Sequence, residues 1–487
     1  MSTPHSQDRF GKVEQAGVEY IPESARDSRP INLLAVFIGS NLTWSIVVFG
    51  WLPVALGLNF WGAFTSSLTG LVLGCLVMGP IATIGTRTGT NTAVSSGAFF
   101  GIRGRLIGSG LALVLAIAYG ALAIWTSGDA IVAAAHRLLG TPDGNWPRAV
   151  SYAVLSVGVV VIAIYGHATI VALQRVLVPV IGILLLAGIF VFAPSFDPSI
   201  STAEYALGGF WQTWILSAVL GFAAGPSYVT SVGDYTRRIS QHEYSDSRVA
   251  SALVIGLFLG SFLPMTFGMF TAVSLSDPTD SYVADMVDAS PTWYVFAILL
   301  IALAGGVGQG VLNLYSSGLD LEGVFPRLPR LHTTAITAAV SVVLLYGGVF
   351  VFNAVDSLTA LTLVLNAVTV SWTAILVIGA IRHRTAGYDP VDLQAYAQGR
   401  RGGRYWYSAG WNLPAVAAWS AGSLFGVLAV DSELYTGPLA MLANGIDVSC
   451  IGSAVISSIS YLALTRRPAP LAVASPAASA TGAAAGG

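Results

Sequence analysis

Gly221-Phe222-Ala223-Ala224-Gly225-Pro226-Ser227-Tyr228 is followed, after four more residues, by Gly233-Asp234-Tyr235-Thr236-Arg237-Arg238. The stretch begins inside an apolar run long enough to cross a bilayer, breaks with Gly-Pro and hydroxyl side chains, and closes on charge. Such a break frees backbone N–H and C=O groups at membrane depth, where they persist only if buried in protein or lining a polar cavity. A discontinuous helix there predicts a binding site inside the bilayer.

Hydrophobic residues make up 54% of the 487-residue chain and charged ones 9%, against about 25% charged in an ordinary soluble domain. Mean hydropathy is +0.72. The chain reads as an all-α integral membrane protein. Apolar runs of about 20 residues, the length that crosses the hydrocarbon core, fall at 32–57, 60–83, 106–134, 149–165, 170–193, 209–233, 249–274, 293–318, 333–352, 355–381, 411–430 and 446–464. These are about twelve spans.

The net charge of −2 by itself says nothing about partners; membrane lipid is expected, and nucleic acid is not. The distribution of cations is the informative part. With the N-terminus cytoplasmic, only Arg137 and Arg148 of the 22 Lys and Arg fall outside. The positive-inside rule then places both termini in the cytoplasm of a multi-pass protein of the cell membrane. The presumed outer loop 275–292 carries Asp277, Asp280, Asp285 and Asp288 and no cation. Cys75 and Cys450 lie within spans, where small apolar packing is the simplest role.

No loop is long enough for a soluble domain, which excludes catalysis by an appended one. A cytoplasmic segment at 1–30 leads into one transporter domain at 31–465, and the Ala-, Pro-, Ser- and Gly-rich tail at 466–487 is expected to be disordered. The longest cytoplasmic connection, 382–410, sets Tyr405-Trp406-Tyr407 beside arginines, as an interfacial anchor would.

The first span carries a second break, Ile38-Gly39-Ser40-Asn41-Leu42-Thr43-Trp44-Ser45. Spans one and six are five apart, so each can open a five-helix repeat, and an odd repeat length inverts the second unit relative to the first. Paired interruptions at corresponding positions point to an inverted-repeat secondary transporter with its site between the repeats.

Span three places Tyr119, Ala123 and Thr126 on one face. Tyr119 can present a flat ring with a polar tip to a planar ligand, or pack as an ordinary buried aromatic. Span eight runs Ala304-Gly305-Gly306-Val307-Gly308-Gln309-Gly310-Val311-Leu312-Asn313. Asn313 offers both an amide donor and a carbonyl acceptor, suited to a heterocycle edge or to an inter-helix hydrogen bond. Asp234, next to Arg237-Arg238, reads as a wet interfacial ion pair or gate latch before a proton carrier. Asp129 lies nearer the far end of span three, where it can be wet. No His/Cys/Asp/Glu constellation has metal spacing, and there is no nucleophile elbow or phosphate loop. No enzymatic activity, metal or cofactor is expected.

Asn41 and Trp44 followed by Gly50-Trp51-Leu52-Pro53, Pro226-Ser227-Tyr228 through Asp234-Tyr235-Thr236-Arg237, Asn313-Leu314-Tyr315-Ser316 and Ser371-Trp372-Thr373 together resemble the nucleobase:cation symporter family, specifically its purine–cytosine permease branch. Tyr388-Asp389 and Gly403-Arg404-Tyr405 to Gly410-Trp411-Asn412 extend the resemblance, which runs from Val18 to Leu464. It implies a LeuT-type five-plus-five inverted repeat with discontinuous helices one and six, working by alternating access. It also implies that a planar base is held by Asn41, Trp44, Tyr119, Pro226, Ser227, Tyr228 and Asn313, with Gly39, Ser40, Gln309 and Asp234 linked to the cation or to gating. Two positions depart from the family pattern. Ala123 stands where an amide is usual, which leaves the identity of the base open. Val307 and Gly308 stand where sodium-coupled members supply hydroxyls, so H+ is expected as coupling ion ahead of Na+. The expectation is thus a proton-coupled importer of a nucleobase. The alternatives are the same fold carrying allantoin, a hydantoin, a vitamin-like heterocycle or an amino acid, sodium coupling, and a membrane-embedded enzyme or receptor. Oligomeric state is not set by the sequence.

Overall fold

The computed structural model describes residues 19–165, 167–201, 204–275, 282–325, 327–350, 354–432, 435–443 and 446–466. Most of the tail, the first eighteen residues, Asp277 and Asp280 lie outside the described residues.

Apolar sequence that must satisfy its own backbone in lipid folds as helix. Span one is a bent pair, Pro30–Gly39 and Trp44–Ala55, meeting at 60°. Span two is Phe60–Val77 with Gly79–Thr88, and spans three to five are Arg105–Leu139, Asn145–Tyr165 and His167–Phe192. Span six is again two pieces, Phe210–Phe222 and Val232–Thr236. Spans seven to ten are Asp246–Ala272, Thr292–Val324, Arg330–Val349 and Ala354–Ala386, and the shorter Leu413–Ala429 and Ser449–Leu464 complete the twelve. A two-residue antiparallel pair, Asp431–Ser432 with Tyr435–Thr436, lies between the last two.

Each break has a local cause. At the first, Asn41 Nδ2 donates to Phe37 O at 2.7 Å and Ser40 Oγ to the same carbonyl at 3.3 Å. Side chains that bond the last-turn carbonyl compete with helix continuation, and Thr43 is extended at φ −147° before Trp44 restarts the helix. At the second, Pro226 has no N–H to continue the ladder. The chain makes one 3-10 turn, Pro226–Tyr228, and resumes as helix at Val232.

Glycine governs how the broken spans pack. A Cβ on Gly70 or Gly74 of span two would overlap the Ala218 or Phe222 carbonyl of span six, and one on Gly225 would overlap Gly74 O. Spans one and seven meet likewise, Gly50 against Met265 O and Gly268 against Val47 O. Small residues let backbones touch where lipid gives no hydrophobic drive for association. Spans one, two, six and seven thereby form one close-packed body, while spans three and eight run along each other with four and nine beside them.

Trp61, Trp146, Trp211 and Trp293 occupy the first turns of spans two, four, six and eight and are 59–78% exposed. Four indoles at one end of alternate antiparallel spans mark one membrane–water boundary. The 382–410 connection, expected as a headgroup anchor, buries Tyr405 and leaves Tyr407 45% exposed. Tyr405 is buried and its hydroxyl accepts from Asp389 N at 2.8 Å, while Tyr407 donates to Ala98 O at 2.8 Å. Beyond it, Asn412 Nδ2 donates to Phe99 O at 2.6 Å. The connection closes over the link between spans two and three.

Candidate substrate-binding site

Residues at and beside the two breaks line one common cavity. Span six contributes Leu220, Ala223, Ala224, Ser227 and Tyr228; span one contributes Ile46 and Phe49; Tyr119 comes from span three, Met265 from span seven, and Gln309 and Asn313 from span eight. An apolar wall with a few convergent polar groups is the usual character of a small-molecule site. No ionised side chain lines it.

Tyr119 and Asn313, singled out from spans three and eight, share this cavity with Ser227, Tyr228 and Gln309. Asn313 is 7% exposed, and its Nδ2 has no hydrogen-bond partner among the described residues. A buried donor left unmade costs about 1–3 kcal/mol, so this N–H is poised for an acceptor on a ligand. The Ser227 hydroxyl donates to Ala224 O at 3.2 Å, within the broken turn. Gln309 Oε1 accepts from Ser45 Oγ, joining span eight to span one.

Asn41, Trp44 and Pro226 lie outside the lining. Asn41 is wholly buried, and its Oδ1 accepts from Tyr228 and Ser261 hydroxyls, each at 3.2 Å. With its Nδ2 on Phe37 O, this amide has partners at both ends and is turned to holding the break. Trp44 is buried, its indole N–H reaching Ile298 O at 3.4 Å and its ring packing on Phe267. Pro226 is buried in the turn itself. Tyr228 also reaches Ser40 O at 3.4 Å, so one hydroxyl spans from the break of span six to that of span one. Gly39, beneath it, faces span five.

Asp234, expected at a wet interface, is wholly buried. Asp234, Arg105 and Arg237 all act electrostatically on Asp320 of span eight, which is 1% exposed. Arg105 also donates from Nη2 to Gly323 O at 2.7 Å and lies 4.7 Å over the Tyr396 ring. This enclosed charge cluster lies toward the arginine-bearing end, below the cavity. Asp129 accepts from the Tyr152 hydroxyl at 2.6 Å and has Arg148 at 3.7 Å, a structural tie between spans three and four. A strap before span one covers the arginine-bearing end: Glu23 pairs with Arg26 and accepts from Ser240 Oγ at 2.6 Å, and Ser28 N donates to Arg238 O at 2.9 Å. Burial pushes the Glu23 carboxyl up, but the Ser240 hydroxyl, Arg26 and nearby backbone N–H groups outweigh it and hold the pKa below the ordinary value.

The apolar walls Ile46, Leu220, Ala224 and Met265 carry no signal separating them from core in the sequence. Among the described residues, no group of three or more His, Cys, Asp or Glu could hold a metal.

Residues 20–451 match a family described as permease for cytosine/purines, uracil, thiamine, allantoin. A putative purine-cytosine permease, YxlA, from Bacillus subtilis (strain 168) is 25% identical over 468 residues, covering 93% of this chain and 96% of that protein. Among solved structures, Mhp1, a nucleobase-cation-symport-1 family transporter in a closed conformation with bromovinylhydantoin bound, superposes with a TM-score of 0.71 at 17% identity, over 92% of this chain and 94% of that one. An inward-facing conformation of Mhp1 gives 0.68 at 17% identity, over 93% and 94%.

Proposed function

Because this chain belongs to the family of permeases for cytosine/purines, uracil, thiamine and allantoin, we propose that its central cavity carries a neutral, planar nucleobase-like heterocycle. The protein is a multi-pass membrane transporter working by alternating access, and not an enzyme. The observation that carries the substrate class is the pairing of Tyr119 with the unpartnered Asn313 Nδ2 across an uncharged cavity. An aromatic ring offers a stacking face worth about 1–3 kcal/mol to any base, while the amide selects a ring with an acceptor at its edge. An amino acid would need a group facing its carboxylate, and the lining has no cation.

The two breaks are the moving parts. Tyr228 bonds Asn41 and Ser40, and Gln309 bonds Ser45, so a ligand touching Tyr228 and Gln309 touches the contacts that fix span one against spans six and eight. Closure on the ligand and reopening on the opposite side then follow from differential binding to the two states. Uptake runs inward with H+ as the coupling ion, a reading supported by the absence of side-chain hydroxyls at Val307 and Gly308. The arginine-bearing end is cytoplasmic in this reading, supported by the positive-inside bias and by the tryptophan belt at the opposite end.

Reconstituted protein should accumulate at least one member of a panel of purines, pyrimidines, allantoin and hydantoins when the liposome exterior is acidified. No uptake of any of them, with folded protein, would defeat the substrate class. Uptake that follows a sodium gradient and ignores pH would defeat the proton.

A further inference from the structure

Span five passes behind the first break. Gln174 on it is wholly buried and lies where Gly39 of span one meets Gly308 of span eight. Its Nε2 donates to Gly308 O at 3.2 Å. A Cβ on Gly39 would overlap Gln174 Oε1, and one on Gly308 would lie 3.1 Å from Nε2 and 3.3 Å from Gly39 O. Three elements therefore bring two main-chain carbonyls and one side-chain amide to a single crevice, kept narrow by two glycines. Among the described residues, Gln174 Oε1 has no hydrogen-bond partner.

Carbonyls released at a helix break are the groups that coordinate a transported alkali cation. Hard cations require several converging oxygens. Here Gly308 O already accepts from an N–H, the positive end of an amide dipole, which opposes a cation at the same oxygen. Val307 and Gly308 supply no side-chain oxygen to replace it. Gly39 O and Gln174 Oε1 are the oxygens left in the crevice, fewer than the several a hard cation requires, and the residues do not fit sodium.

We infer that the Gln174 carboxamide stands in this crevice in place of an alkali cation, tying span five to span eight behind the span-one break, so that coupling does not run through Na+ bound there. The inference rests on the permease reading but not on which base is carried.

Thermal unfolding of the purified full chain, without substrate, in NaCl against choline chloride at equal ionic strength tests it directly. The wild type should show the same midpoint in both salts. Gln174→Glu replaces the N–H by a carboxylate oxygen beside Gly39 and Gly308 and should gain a saturable, sodium-specific rise in midpoint. Gln174→Ser, which withdraws the amide and leaves a hydroxyl, should gain a smaller one and serves if the first variant does not fold. A saturable sodium response in the wild type, or a folded variant of either kind indifferent to sodium, overturns the assignment. Proton-driven base uptake by the wild type, measured in parallel, separates the two readings. Absent uptake with a sodium response in Gln174→Glu defeats only the substrate reading, and proton-driven uptake with sodium-blind variants defeats only the role of Gln174.

Discussion

Asn313→Ala is the sharpest test of the cavity, because stability and affinity should move independently. In the unliganded protein Asn313 Nδ2 is buried without a partner, at a cost of about 1–3 kcal/mol. Removing the amide relieves that cost while losing packing, so the unliganded melting temperature should barely change. With a ligand whose acceptor meets this N–H, the variant forfeits a hydrogen bond and the relief it brings, taken as about 2 kcal/mol, or a roughly 30-fold weaker Kd. A ligand at 100 times the wild-type Kd stabilises the wild type by about 2.7 kcal/mol and would stabilise the variant by only about 0.9 kcal/mol. Melting curves with and without the transported base, over a ligand titration, give both quantities. An undiminished ligand shift in Asn313→Ala would refute the assignment of this amide to the substrate. A large loss of unliganded stability would show that the amide is instead satisfied structurally.

Tyr119→Phe should keep most uptake affinity, while Tyr119→Ala should weaken it by roughly 5- to 150-fold, the equivalent of about 1–3 kcal/mol of ring stacking; equal losses in both would mean that the hydroxyl matters and the ring does not. Gly225→Ala pushes a methyl into the Gly74 carbonyl and should cost about 1–3 kcal/mol by overpacking, lowering the melting temperature, whereas Gly158→Ala, with nothing within 4 Å of the added atom, should not. Glu23→Gln should destabilise at neutral pH by less than about 1 kcal/mol, since the carboxylate is partly exposed. Its pKa is lowered on folding, so its contribution is present above the ordinary Glu range and is lost as pH falls through the folded value. The wild-type and Glu23→Gln melting temperatures should therefore converge in acid, and a gap that widens there would contradict the strap.

Residues that break a rule could be read from the chain. Gly225-Pro226 and Gly39-Ser40-Asn41 interrupt apolar helices, and an interruption at membrane depth has few structural uses. Tyr119 and Asn313 are polar side chains within long apolar spans, and both reach the cavity. The role of Asn41 was not legible, because an amide beside a break suits a ligand or a neighbouring hydroxyl equally, and the choice depends on Tyr228 and Ser261 from distant segments. Asp234 misled for a related reason: adjacency to Arg237-Arg238 looks like the edge of the membrane, yet Arg105 and Asp320 arrive from spans three and eight to enclose it. Gln174 gave a faint signal. It falls early in span five beside Arg175, where a polar residue reads as a headgroup contact, and only the packing of Gly39 against Gly308 reveals its depth.

The uncharged lining has an electrical consequence. The neutral ring proposed as cargo brings no charge into the cavity and meets none, so under the proposed coupling the net charge moved per turnover is that of the cation alone. One elementary charge crossing the membrane is worth about 2.3 kcal/mol per 100 mV, which at about 1.4 kcal/mol per decade corresponds to a roughly forty-fold accumulation of the carried molecule. A voltage step should therefore reset how far the interior fills without altering how tightly the resting cavity holds its cargo. An analogue that ionises at working pH would need an opposite charge this wall does not supply, so its transport should fade as it titrates.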